Sequence, residues 1–254
     1  VTTSGPLVIG ATGGSGTRVV ARIAQHAGYD LGRNLNSAED ALEFYSFHDQ
    51  WINRFVSAER HGATLPKSEM EKMEAEFQSA LDRHYSPALR ADKLWGWKAP
   101  RSIYLLPFLR AQLPGLKFVH VLRDGRDMAL SPNQNQLRKH SRAVLDWRER
   151  FFSAAPERAM LLWERVNFRA AEFGESELDK NYLRVRFEDL CTKPLDTTAQ
   201  IINFLGARVD PEPISRAEIS PPSTLQRWRS CPPDLVAKLE RAGANSLHKF
   251  GYLS

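Results

Sequence analysis

Apolar positions along the chain fall into two kinds of run. Leu7–Ile9, Leu94–Arg101, Lys117–Leu122 and Asn181–Phe187 are short, largely continuous and rich in β-branched or aromatic residues. Such runs predict strands buried on both faces, as in a parallel sheet. Between them, apolar residues recur at helical spacing. Val19, Val20 and Ile23 make one stripe, and Leu42, Tyr45, Phe47, Trp51, Ile52 and Phe55 make another within Ala38–Val56. Helices are likewise expected over Pro66–Tyr85, Ser102–Leu113, Val144–Phe152, Ala159–Phe173 and Asp196–Leu205, with a last one from Pro233 to near Gly243. Trp147 and Trp163 are assigned to the core, and Asp127–Leu130 to a short helix. Ser37 is expected to cap the second helix, with Glu39 and Asp40 in its acidic first turn. Residues Gln134–Arg142 read as a mobile basic loop, and 207–222 as an extended connector. Strands alternating with helices predict an α/β fold: a three-layer sandwich with a central parallel sheet flanked by helices, built as one domain over residues 1–254.

The first strand runs straight into chemistry. Leu7–Ile9 is followed by Gly10, Gly13, Gly14 and Gly16, then by the helix that opens at Thr17-Arg18. A strand, a glycine-rich turn and a helix start form a phosphate cradle. Glycine lets the backbone approach an anion, and the helix N-terminus offers unpaired N–H groups at a positive dipole end. The hydroxyls of Ser15 and Thr17 can add hydrogen bonds. The loop is not a Walker A motif, because no Lys follows Gly16, and its glycines have the wrong spacing for a dinucleotide fingerprint.

Charge narrows the ligand without choosing it. The net charge of +5 suits anionic partners such as nucleotides, sulfated or phosphorylated sugars, nucleic acid or an acidic membrane. The two cysteines, Cys191 and Cys231, can form neither a disulfide framework nor a zinc site on their own, and no metal is called for. No run reaches transmembrane length, and no basic-then-apolar leader opens the chain, so a cytoplasmic enzyme is expected.

Three blocks, in order, resemble the sulfotransferases that use 3′-phosphoadenosine 5′-phosphosulfate (PAPS). GATGGSGTR is similar to that family's 5′-phosphosulfate loop. KFVHVLRDGRDMALS is similar to its 3′-phosphate motif, with Arg123 at the strand end and Ser131 eight residues later. LRVRFEDLCTKPLDTTAQIINFLG resembles the family's Tyr-Glu-Asp-Leu block, with Phe187 in place of the Tyr, followed by Pro and a helix ending Phe-Leu-Gly. The resemblance implies a P-loop NTPase-like fold, PAPS as sulfuryl donor and 3′,5′-adenosine bisphosphate (PAP) as product. Gly13, Gly14, Ser15, Gly16, Thr17 and Arg18 would hold the 5′-phosphosulfate, and Arg123 and Ser131 the 3′-phosphate. Phe187 would lie near the adenine, with Arg227 in a segment closing over the cofactor. The chain departs from the pattern at Gly14, where many relatives have Lys or Arg, and at Arg18, where many have Thr.

Sulfuryl transfer, like phosphoryl transfer, needs positive groups against the charge that builds on the leaving phosphate. Lys98, at the end of the second strand, is similar to the family Lys placed for this. A general base must deprotonate the acceptor. Asp40 and Glu43 are the expected candidates, with His48 and Asp49 as competitors. The acceptor is expected to be a hydroxyl or amine, and the basic stretch Arg138, Lys139, His140 and Arg142 favours an acidic or polar one such as a sugar chain. No nucleic acid is expected as partner, and the sequence leaves the oligomeric state open. A P-loop nucleotide kinase and a non-catalytic nucleotide- or nucleic-acid-binding protein are the alternatives.

Overall fold

Four parallel strands in the order β2-β1-β3-β4 carry the architecture of the computed structural model, which describes residues 5–86 and 93–253. They are β1 (Leu7–Ala11), β2 (Gly96–Lys98), β3 (Lys117–Leu122) and β4 (Tyr182–Arg186). Ile9 is in register with Lys98 on one side and Val119 on the other, and Val121 with Val185. All three pairings are parallel, so each connection crosses over through helices, which cover the sheet's faces.

The helices in chain order are α1 (Thr17–His26), α2 (Tyr45–Arg60), α3 (Lys67–His84), α4 (Leu106–Gln112), α5 (Gly125–Ala129), α6 (Asn135–Val144), α7 (Trp147–Phe152), α8 (Ala155–Phe173), α9 (Phe187–Thr192), α10 (Pro194–Leu205), α11 (Pro211–Glu218), α12 (Pro233–Ala242) and α13 (Ala244–Lys249). Strand alternation divides the core. Val8 and Phe118 point to the face covered by α2, α3 and α8, where Phe44, Trp51, Phe77 and Trp97 pack. Leu7, Ile9, Val119, Val121 and Val185 point to the opposite face, against Val20, Ile23, Ile201 and Ile202 of α1 and α10. The expected three-layer α/β arrangement is therefore present.

Several local expectations are corrected. Ser37 caps no helix. Asn36 takes the N–H groups of Ala38 and Asp40 on its own Oδ1 (2.8 and 2.9 Å), and Glu39 sits at φ 66°. This side-chain turn outcompetes helix initiation, so the second helix begins only at Tyr45, after a 3₁₀ turn over Leu42–Phe44. Residues Gln134–Arg142 are not a loop: Leu137, His140, Ala143 and Val144 give α6 an inward stripe. The connector 207–222 contains α11, started by the Asp210 cap and Pro211. Trp147 is exposed, whereas Trp163 is fully buried as expected.

One buried histidine gives a pH prediction. His120 in β3 is wholly buried, with Nδ1 2.6 Å from the Tyr182 hydroxyl and Nε2 2.9 Å from Asn167 Oδ1. Asn167 donates its Nδ2 to Trp163 O, so Nε2 of His120 donates and Nδ1 accepts from Tyr182. Burial lowers this imidazole from 6.5 to about 4. The unfolded chain therefore takes up a proton that the folded chain refuses. Its contribution is complete above pH 6.5 and is lost as pH falls toward about 4. Thermal melts across that window are expected to lose about 3 kcal/mol through this residue. His120→Gln should flatten the acid limb; an unchanged limb would refute the assignment.

Candidate active site

The carboxyl ends of β1 and β2 open into a cleft of about 630 Å³. The turn after β1 supplies its floor. Gly14 and Gly16 take φ of 83° and 82°, a left-handed conformation that only glycine adopts freely. Gly16 is doubly required, because a Cβ there would lie 2.2 Å from the ring of Phe187. Buried Ser15 donates its hydroxyl to Thr12 O (2.6 Å), which pins the turn. The Gly16 carbonyl accepts from Val19 N–H, and the first amides of α1 have no acceptor within their own helix. Gly13 to Thr17 all line the cleft. Arg18 also lines it, half exposed, with Nη2 on Ser37 O (3.1 Å) and Nε 3.9 Å from Glu39.

Lys98 enters from the end of β2 and is 1% exposed. Its ammonium donates to Asp40 Oδ1 and to the carbonyl of Ala38. Burial lowers its pKa from the ordinary lysine range, and the Asp40 charge opposes that shift. Asp40 Oδ2 accepts from the Tyr45 hydroxyl (3.1 Å) and from Asn36 Nδ2 (3.3 Å). Tyr45 is held protonated, its pKa raised by burial and by the adjacent carboxylate. The same Asn36 turn that delays α2 thus sets Asp40 against Lys98.

The other base candidates are placed differently. Glu43 turns away from the cleft and meets His84 Nδ1 at 3.2 Å in a buried pair. Asp49 stands at the mouth between Arg101 and Lys139 (Nζ at 2.6 Å). His48 lines the cleft, fully buried, with Nδ1 lacking a partner and Nε2 3.5 Å from Ser102 Oγ. Burial lowers its pKa well below the ordinary value, so it is neutral.

Phe187 links this cleft to a second cation site. Its ring packs on Gly16 and lies 5.3 Å from the guanidinium carbon of Arg123. Arg123 is buried at the end of β3. Its Nη2 donates to Thr224 O (2.6 Å), Thr224 Oγ1 (3.2 Å) and Asp127 Oδ2 (3.2 Å), while its Nε is buried without a partner. Arg227, in the 3₁₀ turn Arg227–Ser230, directs Nε to the same Thr224 carbonyl at 3.4 Å. Asp127 holds this segment by accepting from the N–H groups of Gln226 (2.8 Å) and Trp228 (3.2 Å).

Arg126, three residues on, has no freedom to bind a ligand. Asp124 takes it through two oxygens (3.0 and 2.7 Å), Glu240 takes it at 2.6 Å, and Trp228 lies 3.7 Å from its guanidinium. Ser131 lies beyond the C-terminus of α5, not at a helix start, and its hydroxyl accepts from Asn133 N–H (3.2 Å). The structure thus brings together the glycine loop, Asp40, Lys98 and Phe187 in one cleft, with Arg123 and Arg227 converging beyond Phe187. It leaves Glu43 outside. Tyr45, Asn36 and Thr224 are site residues that no spacing in the sequence singles out.

Residues 6–211 match a family model described as the sulfotransferase family. The fold is similar to three solved structures. Sulfotransferase STF1 from Mycobacterium tuberculosis H37Rv shares 15% identity, with 96% of this chain and 78% of that one covered and a TM-score of 0.52. The sulfotransferase domain of the Synechococcus PCC 7002 olefin synthase shares 16%, with 95% of each chain covered and a TM-score of 0.53. The sulfotransferase domain of the curacin biosynthetic pathway shares 14%, with 95% and 97% covered and a TM-score of 0.55. None of the curated proteins matches the sequence.

Proposed function

We propose that this chain, which belongs to the sulfotransferase family by the match over residues 6–211, moves a sulfuryl group from PAPS to a hydroxyl or amine acceptor as a single domain. The observation that carries the reading is the pair of anion sites on either side of Phe187. On one side is the glycine turn at the start of α1, whose first amides have no acceptor within their own helix; on the other is Arg123, whose buried Nε lacks a partner. Two separated phosphate sites suit a nucleotide bearing both a 5′- and a 3′-phosphate. The Arg123 fork matches phosphate geometry, and Arg227 shares its carbonyl acceptor, so the pair is poised for an anion. Phe187 offers a flat apolar face between the two sites for the adenine.

PAPS, when bound, supplies an activated sulfuryl group on a phosphate leaving group. The chain's own residues then have three tasks. The amides of the Gly13–Arg18 turn and the Thr17 hydroxyl hold the 5′-phosphate, and fixed dipoles of this kind need no reorganisation as charge builds. Lys98, buried and paired with Asp40, lines the same cleft as that turn and neutralises the leaving oxygen; it compensates for Gly14, which brings no cation. Asp40, in the cleft and already bonded to Lys98, accepts the acceptor's proton, a role for which Glu43 is turned the wrong way. Calorimetry with PAP and with ATP tests the reading. PAP should bind strongly in preference, and equal or tighter ATP binding would overturn it.

The acceptor side is basic. Lys139 and Arg101 flank the mouth, and Arg138 and Arg142 continue along exposed α6. This charge favours an acidic or polar acceptor, such as a sugar chain. Replacing Arg138, Lys139 and Arg142 by Ala should raise acceptor KM about tenfold and flatten its dependence on salt. An unchanged KM and salt slope would remove the basis for that class.

A further inference from the structure

Helix α7 buries none of its residues. Its three largest side chains face outward: Trp147 is 55% exposed, Phe151 75% and Phe152 78%. The rings of Trp147 and Phe152 meet edge-on at 6.1 Å, and the guanidinium groups of Arg148 and Arg150 lie over Trp147 and Phe151 at 5.4 and 5.9 Å. The helix is held in this orientation. Asp146 and Glu149 form a reciprocal capping box, and Arg165 anchors Glu149. Exposed apolar clusters of this kind mark interaction sites.

The charge around the cluster says what covers it. Residues 138–158 contain Arg138, Lys139, Arg142, Arg148, Arg150 and Arg158 against Asp146, Glu149 and Glu157. All three acids are engaged with backbone N–H groups at helix starts. The exposed rim is therefore cationic. Pairing this face with itself in a second copy would bring Arg148 and Arg150 of both copies together, because a two-fold contact is self-complementary. Aromatic rings rimmed by arginines instead match the headgroup zone of an anionic bilayer. There the rings sit at the polar–apolar boundary and the cations meet lipid phosphates.

We propose that α7 docks this chain onto the surface of an anionic membrane. The aromatics of Trp147, Phe151 and Phe152 enter the interface, and Arg148 and Arg150 hold the headgroups. Helix α6, which carries Lys139 at the cleft mouth, is joined to α7 by Leu145 and Asp146. The inference does not depend on which group the cleft transfers.

Flotation of the full chain with two kinds of vesicle tests it: phosphatidylcholine alone, and phosphatidylcholine mixed with phosphatidylglycerol. The chain should partition onto the anionic vesicles at least about tenfold better, and high salt should release it. W147S/F151S/F152S should lower that binding about tenfold, and R148A/R150A should do the same, with the circular-dichroism spectrum and melt unchanged in each. The melt reports folding, so a triple variant that fails to fold leaves the arginine variant and the salt response to decide. Equal binding to both vesicles, or undiminished binding by R148A/R150A, overturns the proposal. So does a dimer, measured by light scattering, that the triple variant dissolves.

Discussion

Lys98→Met is expected to lower kcat by about 10²- to 10³-fold while leaving PAP affinity within a fewfold of the parent. The lysine is buried in the cleft and donates to Asp40 and Ala38 O, so its charge is both positioned and shielded from water. A charge held in this way stabilises a developing oxyanion far more than one in bulk solvent. The substitution also breaks a buried ion pair, which costs about 3 kcal/mol or more by leaving Asp40 uncompensated. The double variant Asp40→Asn/Lys98→Met isolates the stability effect. Its melting temperature should recover, because asparagine needs no cation and can still bond Tyr45 and Asn36. Its kcat stays low in any case, because Asp40 is also the proposed base, so the catalytic effect is read from Lys98→Met alone, well below its melting temperature. If the folded single variant keeps its kcat, Lys98 is a structural cation; if PAP affinity falls as far as kcat, it is a binding residue only.

Arg123→Ala is expected to weaken PAP about 10²- to 10³-fold and to abolish its preference over nucleotides lacking a 3′-phosphate. Binding of 5′-AMP should barely change, because the Gly13–Arg18 turn is untouched. The change removes the ion pair of buried Asp127, so a lower melting temperature is expected beside the lost affinity, but the segment around residue 226 stays held. Asp127 keeps the N–H groups of Gln226 and Trp228, and the Trp163 indole bonds the backbone carbonyl of residue 123 rather than its side chain. Calorimetry with PAP and 5′-AMP on both proteins measures the effect. Parallel losses for the two ligands would move the 3′-phosphate site away from Arg123.

Much of this site was legible in the chain. Strand β3 has the expected bounds, Lys117–Leu122, because its apolar run is buried on both faces and has no competing period. Residues Leu7–Ile23 fold as strand, turn and helix for the same local reasons. Legibility failed where a side chain had two possible partners. Ser37 followed by Glu39 and Asp40 is a sound helix start, yet Asn36 one residue earlier captures the same amides. The motif singles out Arg123 by its place at the strand end and is silent on Arg126. Only the cap geometry of Asp124 and the arrival of Glu240 and Trp228 commit Arg126 to structure and leave Arg123 with a spare Nε. Trp147 and Trp163 both occupy helical stripes, but α8 lies against β3 and α5, whereas the rings of α7 stay exposed.

By itself, then, the order of residues determined the α/β layering, the glycine turn and the family to which the chain belongs. Those depend on periods of two and 3.6 residues and on backbone freedom at glycine, which are local properties. The tertiary structure alone decided the division of labour among like residues. It chose which carboxylate meets Lys98, which arginine keeps an unpaired Nε and which tryptophan faces out. Each choice depends on partners scores of residues away in the chain, and burial makes an unpaired charge too costly to leave to chance.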